Sequence, residues 1–320
     1  MISVVVVNWN GKPLLADCLQ SLRSQTFPGL EVLVVDNGST DGSADWVLQN
    51  FPEFRLIQLN ENRGFAGGNN AGIMQARGEW IALLNNDAAA EPDWLAQLYR
   101  AVEGNERAGL AASRVVLTSG ALDSAGDGMT IAGVPYKRGH GSSPTGVFLK
   151  PAEVFGASGC GVLLRRSMLD RIGLLDEDFF CIYEDGDLNF RARLAGFHCI
   201  YVPDAVILHR LHGTLGRLSK NYVFYGQRNM EYLYFKNMPG RLFWKYLPVH
   251  LLSNLLGFGY FILRGRPLQF LRGKLAFLRD FHVVLQKRGQ VQQLRQVDDH
   301  TIAALLERRW LQSRLAGKIR

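Results

Sequence analysis

A doubly wound α/β fold on a mostly parallel sheet, followed by a helical C-terminal region, is the architecture this sequence predicts. Three observations carry it. Short apolar runs at residues 4–7, 32–35, 56–59 and 80–84 are separated by helix-length segments, the pattern of parallel strands buried on both faces. Just past those runs stand Asn8, Asp36 and the triplet Asn85-Asn86-Asp87, where open α/β sheets bind ligands beyond the carboxyl ends of their strands. Net positive charge is confined to the tail: from Arg264 onward thirteen Lys and Arg face four acids, a net of +9, so an overall +7 leaves the first 263 residues at −2.

The remaining segments follow in order. Residues 118–145 are rich in Gly, Ser and Pro without a clear period and predict a loop over the cleft. Strands are expected at 154–164 and 198–208, with a helix at about 185–195 between them. Beyond Ser219 the chain becomes aromatic-rich helix. Residues 246–263 are apolar enough to raise a membrane span, but Pro248 and several polar residues interrupt them. His250, Ser253, Asn254 and Gly257 fall on one helical stripe, which suits an in-plane interfacial helix better than a span. Residues 267–288 carry Leu268, Leu271, Leu275, Leu278 and Leu285 on a stripe, with Arg272, Lys274, Arg279, Lys287 and Arg288 adding charge. Two parts are therefore expected, a nucleotide-binding domain at 1–235 and a basic, amphipathic region at 236–320.

Four cysteines, Cys18, Cys160, Cys181 and Cys199, lack C-x-x-C spacing, so neither a zinc site nor a disulfide framework is indicated. The chain opens directly on an apolar strand, so no export is expected and the cytoplasm is the predicted compartment.

Several stations point to chemistry. Asp36 can accept bonds from a base or ribose, although the following Asn37-Gly38-Ser39-Thr40-Asp41 also suits a turn and N-cap. The loop Asn60-Glu61-Asn62-Arg63-Gly64 enters a helix and offers backbone N–H groups and a guanidinium to phosphate. Asp87 suits a hard divalent cation that shares a diphosphate, or a turn before the next helix. Glu184, Asp185 and Asp187 crowd three carboxylates into four positions, and mutual repulsion should raise at least one pKa. Asp187 has Arg191 one helical turn later as a salt-bridge partner, which leaves Asp185 as the better base. His209, at a strand end, is a competent ligand for a manganese-class metal, His212 a weaker one.

Taken together, Val5-Val6-Val7-Asn8-Trp9-Asn10-Gly11, the run from Val34 through Asp36 to Ser43, Asn62-Arg63-Gly64-Phe65-Ala66-Gly67-Gly68, Leu84-Asn85-Asn86-Asp87 and Tyr183-Glu184-Asp185-Gly186-Asp187 resemble family-2 glycosyltransferases, most closely bacterial rhamnosyltransferase-like members, over about the first 235 residues. The resemblance implies a GT-A fold, an inverting single displacement and Mg²⁺ or Mn²⁺ as cofactor. It places a dTDP- or UDP-sugar donor against Asn8, Asn10, Asp36, Asn62, Arg63, Gly64 and Asn86. Asp87 and His209 become metal ligands, Asp185 the base of a catalytic pair with Glu184, and the glycine-rich segment Gly156 to Gly161 part of the acceptor side. Asn85 replaces the first acid of the stricter D-x-D pattern.

The expected function is transfer of a sugar, rhamnose from dTDP-rhamnose, to a hydroxyl of a lipid-linked glycan in bacterial surface polysaccharide synthesis, by a protein peripherally bound to the inner face of the cell membrane. The alternative from another class is a catalytically silent nucleotide-sugar-binding or membrane scaffold. A sugar-1-phosphate nucleotidyltransferase would need a basic Gly-rich loop where Asn8-Trp9-Asn10-Gly11 stands. The basic tail could instead pack on the domain or form a homodimer; a cleft lined with carboxylates argues against nucleic acid.

Overall fold

The computed structural model describes residues 1–210 and 218–316. Its first part alternates strand and helix: β1 (Ile2–Asn8), α1 (Lys12–Arg23), β2 (Leu30–Asp36), α2 (Ser43–Asn50), β3 (Arg55–Gln58), α3 (Gly64–Gln75), β4 (Trp80–Leu84), β5 (Ala88–Ala90) and α4 (Trp94–Val102). β3, β2, β1 and β4 lie side by side and parallel, with Asn8 opposite Asp36 and Val5 opposite Leu83. Helices cover both faces, so these strands need unbroken apolar runs, and Val4, Val5 and Val6 are fully buried. The chain goes from β1 to β2 and β3 on one side, then crosses to β4 on the other. That reversal opens a cleft at the carboxyl ends of β1 and β4.

α1 starts with Pro13 in its first turn and buries Leu15, Cys18, Leu19 and Leu22, a spacing that lays one face on the sheet. α3 is enclosed over most of its length and lies flush on β1: a Cβ on Gly68 would come within 2.6 Å of a Val7 methyl.

Next come β6 (Ala108–Leu117), β7 (Leu122–Ala125), β8 (Asp127–Thr130), β9 (Pro135–Lys137), β10 (Ala152–Val154), β11 (Gly161–Arg165), α5 (Arg166–Ile172), α6 (Glu184–Leu194) and β12 (His198–His209). β11 runs antiparallel between β4 and β6, and β12 runs parallel to β6. Two expectations are corrected here. Residues 118–145 form strands β7, β8 and β9 as well as loop, because a hairpin closes at Gly133 (φ 71°), with Thr130 Oγ1 donating to the Val134 carbonyl at 3.0 Å. The stretch 154–164 is two strands, because the backbone leaves the sheet at Gly156. There it exchanges bonds with Asp127 (2.8 and 3.0 Å), and Asn189 takes up both polar groups of Ala157 (3.2 and 2.9 Å).

The chain ends in α7 (Lys220–Asn237), α8 (Gly240–Leu263), α9 (Pro267–Arg279), α10 (Phe281–Gln293), α11 (Asp299–Leu305), β13 (Leu306–Glu307) and α12 (Trp310–Ala316). Phe179 and Phe190 from the first part share one apolar core with Tyr232, Tyr246, Phe277 and Ile302. β13 pairs with β8, completing a small sheet β13-β8-β9. The polar stripe of α8 turns inward: His250 and Ser253 are fully buried, and His250 bonds Glu231 at 2.9 Å and the Ala132 carbonyl at 2.8 Å. Lys274 of α9 donates to the same Glu231 and to Asn254. Leu251, Leu255 and Leu263 of α8 and Leu268, Leu275 and Leu278 of α9 face outward and exposed.

Candidate active site

The ends of β1, β2 and β4 are tied together by side-chain amides. Asn8 donates to Ser43 Oγ at 2.9 Å and accepts from Asn86 Nδ2 at 2.8 Å, so the first strand end is fastened to the residue before Asp87. Asn10, at φ 51°, accepts the Thr40 N–H at 2.8 Å. Asp36 is nearly buried and accepts from the Ser39 N–H and from Ser43 Oγ, which is also the local turn and cap anticipated from its neighbours. Asn62 accepts from Asn37 Nδ2 and from the Gly64 N–H at 2.8 Å. Gly64 has φ 71°, and a Cβ there would fall on the Phe180 carbonyl, so this loop touches the segment before α6. Arg63 pairs with Glu177 at 2.8 Å, both side chains about 40 % exposed.

Asp87 and His209 meet at the mouth of the cleft. The Asp87 carboxylate is 3.2 Å from His209 Nε2, and both residues are nearly buried. β12 delivers His209 because its last residues pair with β5, setting His209 opposite Ala88. Burial works against an imidazolium here, yet Cys160, Asp123 and Asp87 around the ring push its pKa well above the usual histidine range. Without a cation the imidazolium N–H faces the carboxylate; a divalent cation would be held by the same oxygen and nitrogen once that proton is displaced, with phosphate oxygens and water filling its other positions. Among the described residues no group of three such ligands occurs. His212 lies outside the described residues.

At the other wall, the three acids of α6 have separate fates. Asp187 is fully buried and held by Arg191 Nε at 2.9 Å, Lys236 Nζ at 2.8 Å and Asn237 Nδ2 at 2.8 Å. Glu184 is buried with Oε2 unbonded, and burial first, then the Asp185 charge, push it up to about 8. The pKa rise expected from crowding thus falls on Glu184. Asp185 alone is part-exposed, one oxygen accepting the Gly159 N–H at 3.1 Å and the other the Gly186 N–H at 2.7 Å.

The approach to Asp185 is strained. Phe180, Ile182 and Tyr183 have φ of 61°, 71° and 75°, conformations that cost on the order of 1 kcal/mol or more each in non-glycine residues. Asn229 of α7 holds them: its Nδ2 lies 2.9, 2.8 and 2.8 Å from the carbonyls of Phe179, Cys181 and Ile182.

Between the two walls lie residues that the sequence reading passed over. Asp123 of β7, fully buried, accepts from Lys137 at 2.6 Å and contacts His209 Nδ1 at 2.9 Å. Lys137 stands directly across the β8–β9 pair from Asp127. Asp127 is bonded by Ser124 Oγ at 2.6 Å, and burial together with the nearby Asp185 charge raises it to about 7. Direct contacts thus join Asp87, His209, Asp123 and Lys137, and Lys137 stands opposite Asp127 in the strand pair. The signal available in the sequence was the short apolar flanks around Gly133.

Comparisons with known proteins bear on the family and the fold. The family model described as Glycosyl transferase family 2 covers residues 3–173. An N-acetylglucosaminyl-diphospho-decaprenol L-rhamnosyltransferase of Mycobacterium tuberculosis is 30% identical over 244 residues, 68% of this chain and 78% of that protein. The succinoglycan biosynthesis protein ExoO of Rhizobium meliloti is 30% identical over 225 residues, 68% of this chain and 63% of its own. Among solved structures, S. aureus TarS 1–349 in complex with UDP has a TM-score of 0.56 at 18% identity, covering 77% of this chain and 70% of that one. The mannosyltransferase PcManGT from Pyrobaculum calidifontis in complex with GDP-Man and Mn²⁺ has 0.55 at 17%, covering 99% and 86%. The likeness in fold supports the GT-A architecture with added C-terminal helices.

Proposed function

The chain belongs to glycosyltransferase family 2, and we propose that within it this protein moves rhamnose from dTDP-rhamnose to a hydroxyl of a lipid-linked glycan, with inversion at the anomeric carbon. The observation that carries the reading is the Asp87–His209 pair, 3.2 Å apart at the strand ends, together with a part-exposed Asp185 bonded to the N–H of Gly159, the neighbour of Cys160. The nucleotide lies along the β1 and β2 ends, against Asn8, Asn10, Asp36 and the Asn62-Arg63-Gly64 loop. Mg²⁺ or Mn²⁺ held by Asp87 and His209 would neutralise charge developing on the departing diphosphate. Asp185 takes the proton of the acceptor hydroxyl as its oxygen attacks the anomeric carbon. The bond to the diphosphate breaks on the opposite face, and the nucleotide leaves. The choice of rhamnose and of a lipid-linked acceptor follows the mycobacterial relative, an L-rhamnosyltransferase acting on N-acetylglucosaminyl-diphospho-decaprenol.

Thermal unfolding with a panel of dTDP-, UDP- and GDP-sugars, each with Mn²⁺, Mg²⁺ or EDTA, tests this. At a hundred times Kd a ligand adds about 2.7 kcal/mol, a rise in Tm of roughly 5 °C for a chain this size. The largest rise is expected with dTDP-rhamnose and metal; no rise with any sugar nucleotide would leave the silent scaffold as the better reading.

The same reading places the protein at the inner face of the cell membrane. Supporting it is α8: 24 residues long and apolar enough to span a bilayer, it spends its polar stripe on Glu231 and Lys274 and turns leucines outward beside those of α9. Arg264, Arg266 and Arg272 are close in sequence to those leucines, and each cation adds on the order of 1 kcal/mol against an anionic leaflet. The full chain should co-sediment with phosphatidylglycerol vesicles, and Leu255→Glu with Leu275→Glu should weaken this at least tenfold, since burying each leucine is worth about 2 kcal/mol. A concentration-dependent dimer without lipid, lost in the same double variant, would assign the face to a second copy instead.

A further inference from the structure

We propose that Asp123 and Lys137, both from the segment between β6 and β10, form the positioning unit that presents His209 to the cation. The inference rests on the transferase reading and extends it to residues that touch neither donor nor acceptor.

The strand geometry aims Asp123. In the β6–β7 ladder Arg114 pairs with Ala125 and Val115 with Ser124, but the next pairing is Val116 with Leu122, so Asp123 is the extra residue of a β-bulge. Bulges re-aim a side chain out of the sheet's alternation, and they gather beside active sites. Here the re-aimed group is a carboxylate with no exposed surface, directed at the ring of His209. A fully buried acid on a bulge is costly unless it is paired, and Asp123 is paired with care: Lys137 Nζ at 2.6 Å and His209 Nδ1 at 2.9 Å share Oδ2, while His140 Nδ1 is 3.2 Å from Oδ1.

The chemistry of the ring gives the arrangement its purpose. His209 Nε2 faces Asp87, where a cation would sit, and an imidazole that offers Nε2 to a metal carries its hydrogen on Nδ1. That hydrogen needs an acceptor to fix the tautomer and the ring plane, and Asp123 is at hydrogen-bond distance from Nδ1. Lys137 in turn holds Asp123 from β9. Directly across the strand pair it faces Asp127, a carboxylate within reach of the Asp185 charge. One ammonium therefore braces the cation side of the cleft from the strand that borders the base.

Mn²⁺ binding measured by electron paramagnetic resonance in the presence of dTDP tests the assignment without any turnover. Asp123→Asn, which keeps size but loses charge, is expected to weaken Mn²⁺ by ten- to a hundredfold, the usual effect of removing such a partner. Lys137→Met should shift it the same way by severalfold. In a His209→Ala background, Asp123→Asn should have no further effect, because its role runs through the ring. Should Asp123→Asn fail to fold, Lys137→Met and its combination with His209→Ala carry the same test. Wild-type Mn²⁺ affinity in a folded Asp123→Asn or Lys137→Met protein, or full additivity with His209→Ala, overturns the positioning role while leaving the transferase reading intact. Wild-type protein that binds dTDP without any Mn²⁺ dependence overturns both the cation reading and this one.

Discussion

Asp185→Asn is expected to lower kcat about a thousandfold while leaving donor affinity within a few fold, the range that loss of a positioned general base produces. The two neighbouring acids explain why no other group fills in. Asp187 is consumed by Arg191, Lys236 and Asn237, and Glu184 is buried with its pKa up to about 8, so it holds its proton where a base must be ionised. Asn preserves the shape that accepts the Gly159 N–H at 3.1 Å but removes the basic oxygen. Radiolabelled sugar transfer alongside equilibrium donor titration separates the two quantities. An Asp185→Asn enzyme retaining more than a tenth of wild-type kcat would remove Asp185 from the mechanism, and an equal loss in Glu184→Gln would move the base to Glu184.

Asp187→Ala should unfold the protein more easily by about 3–5 kcal/mol, the cost of stranding a buried charge after its partner is removed. The side chains of Arg191 and Lys236 are each only 5% exposed, so water cannot replace the lost carboxylate. Burial by itself would raise the Asp187 pKa, but the Lys236 and Arg191 charges outweigh it and hold the group below its ordinary 3.8. A lowered acid stabilises the fold above its unfolded pKa. Its contribution is therefore whole at neutral pH and is withdrawn as pH falls below about 3.8. Urea denaturation at pH 7 and at pH 3 checks both the size and the direction; a loss under 1 kcal/mol at pH 7 would show that the cluster is worth no more than an exposed pair.

What could be seen in the sequence, and what could not, divides by the range of the interactions. Asp87, Asp185 and His209 were legible because each follows an apolar run or opens a helix, and local pattern fixes such positions. Asp123, Asp127 and Lys137 were not, because their strands are three or four residues long, broken by Gly126 and Gly128, and acquire meaning only through pairing with distant β6 and β13. The split at Gly156 was hidden for the same reason, its backbone partner Asp127 lying 29 positions away in sequence. For α8 the spacing of His250, Ser253, Asn254 and Gly257 gave the stripe but not the side it faces. That side was set by Glu231 and Lys274 on two other helices.

β13 is two residues long, yet it joins the far end of the chain to the chemistry. Leu306 and Glu307 lie against Met129 and Thr130 on the strand that begins with Asp127, whose other neighbour carries Lys137. Shortening the protein before β13 would thus peel an edge from the small sheet β13-β8-β9. The helices with outward leucines, α8 and α9, precede that strand in the chain, and a variant with a less apolar face should be sought by substituting those leucines rather than by cutting the helices away.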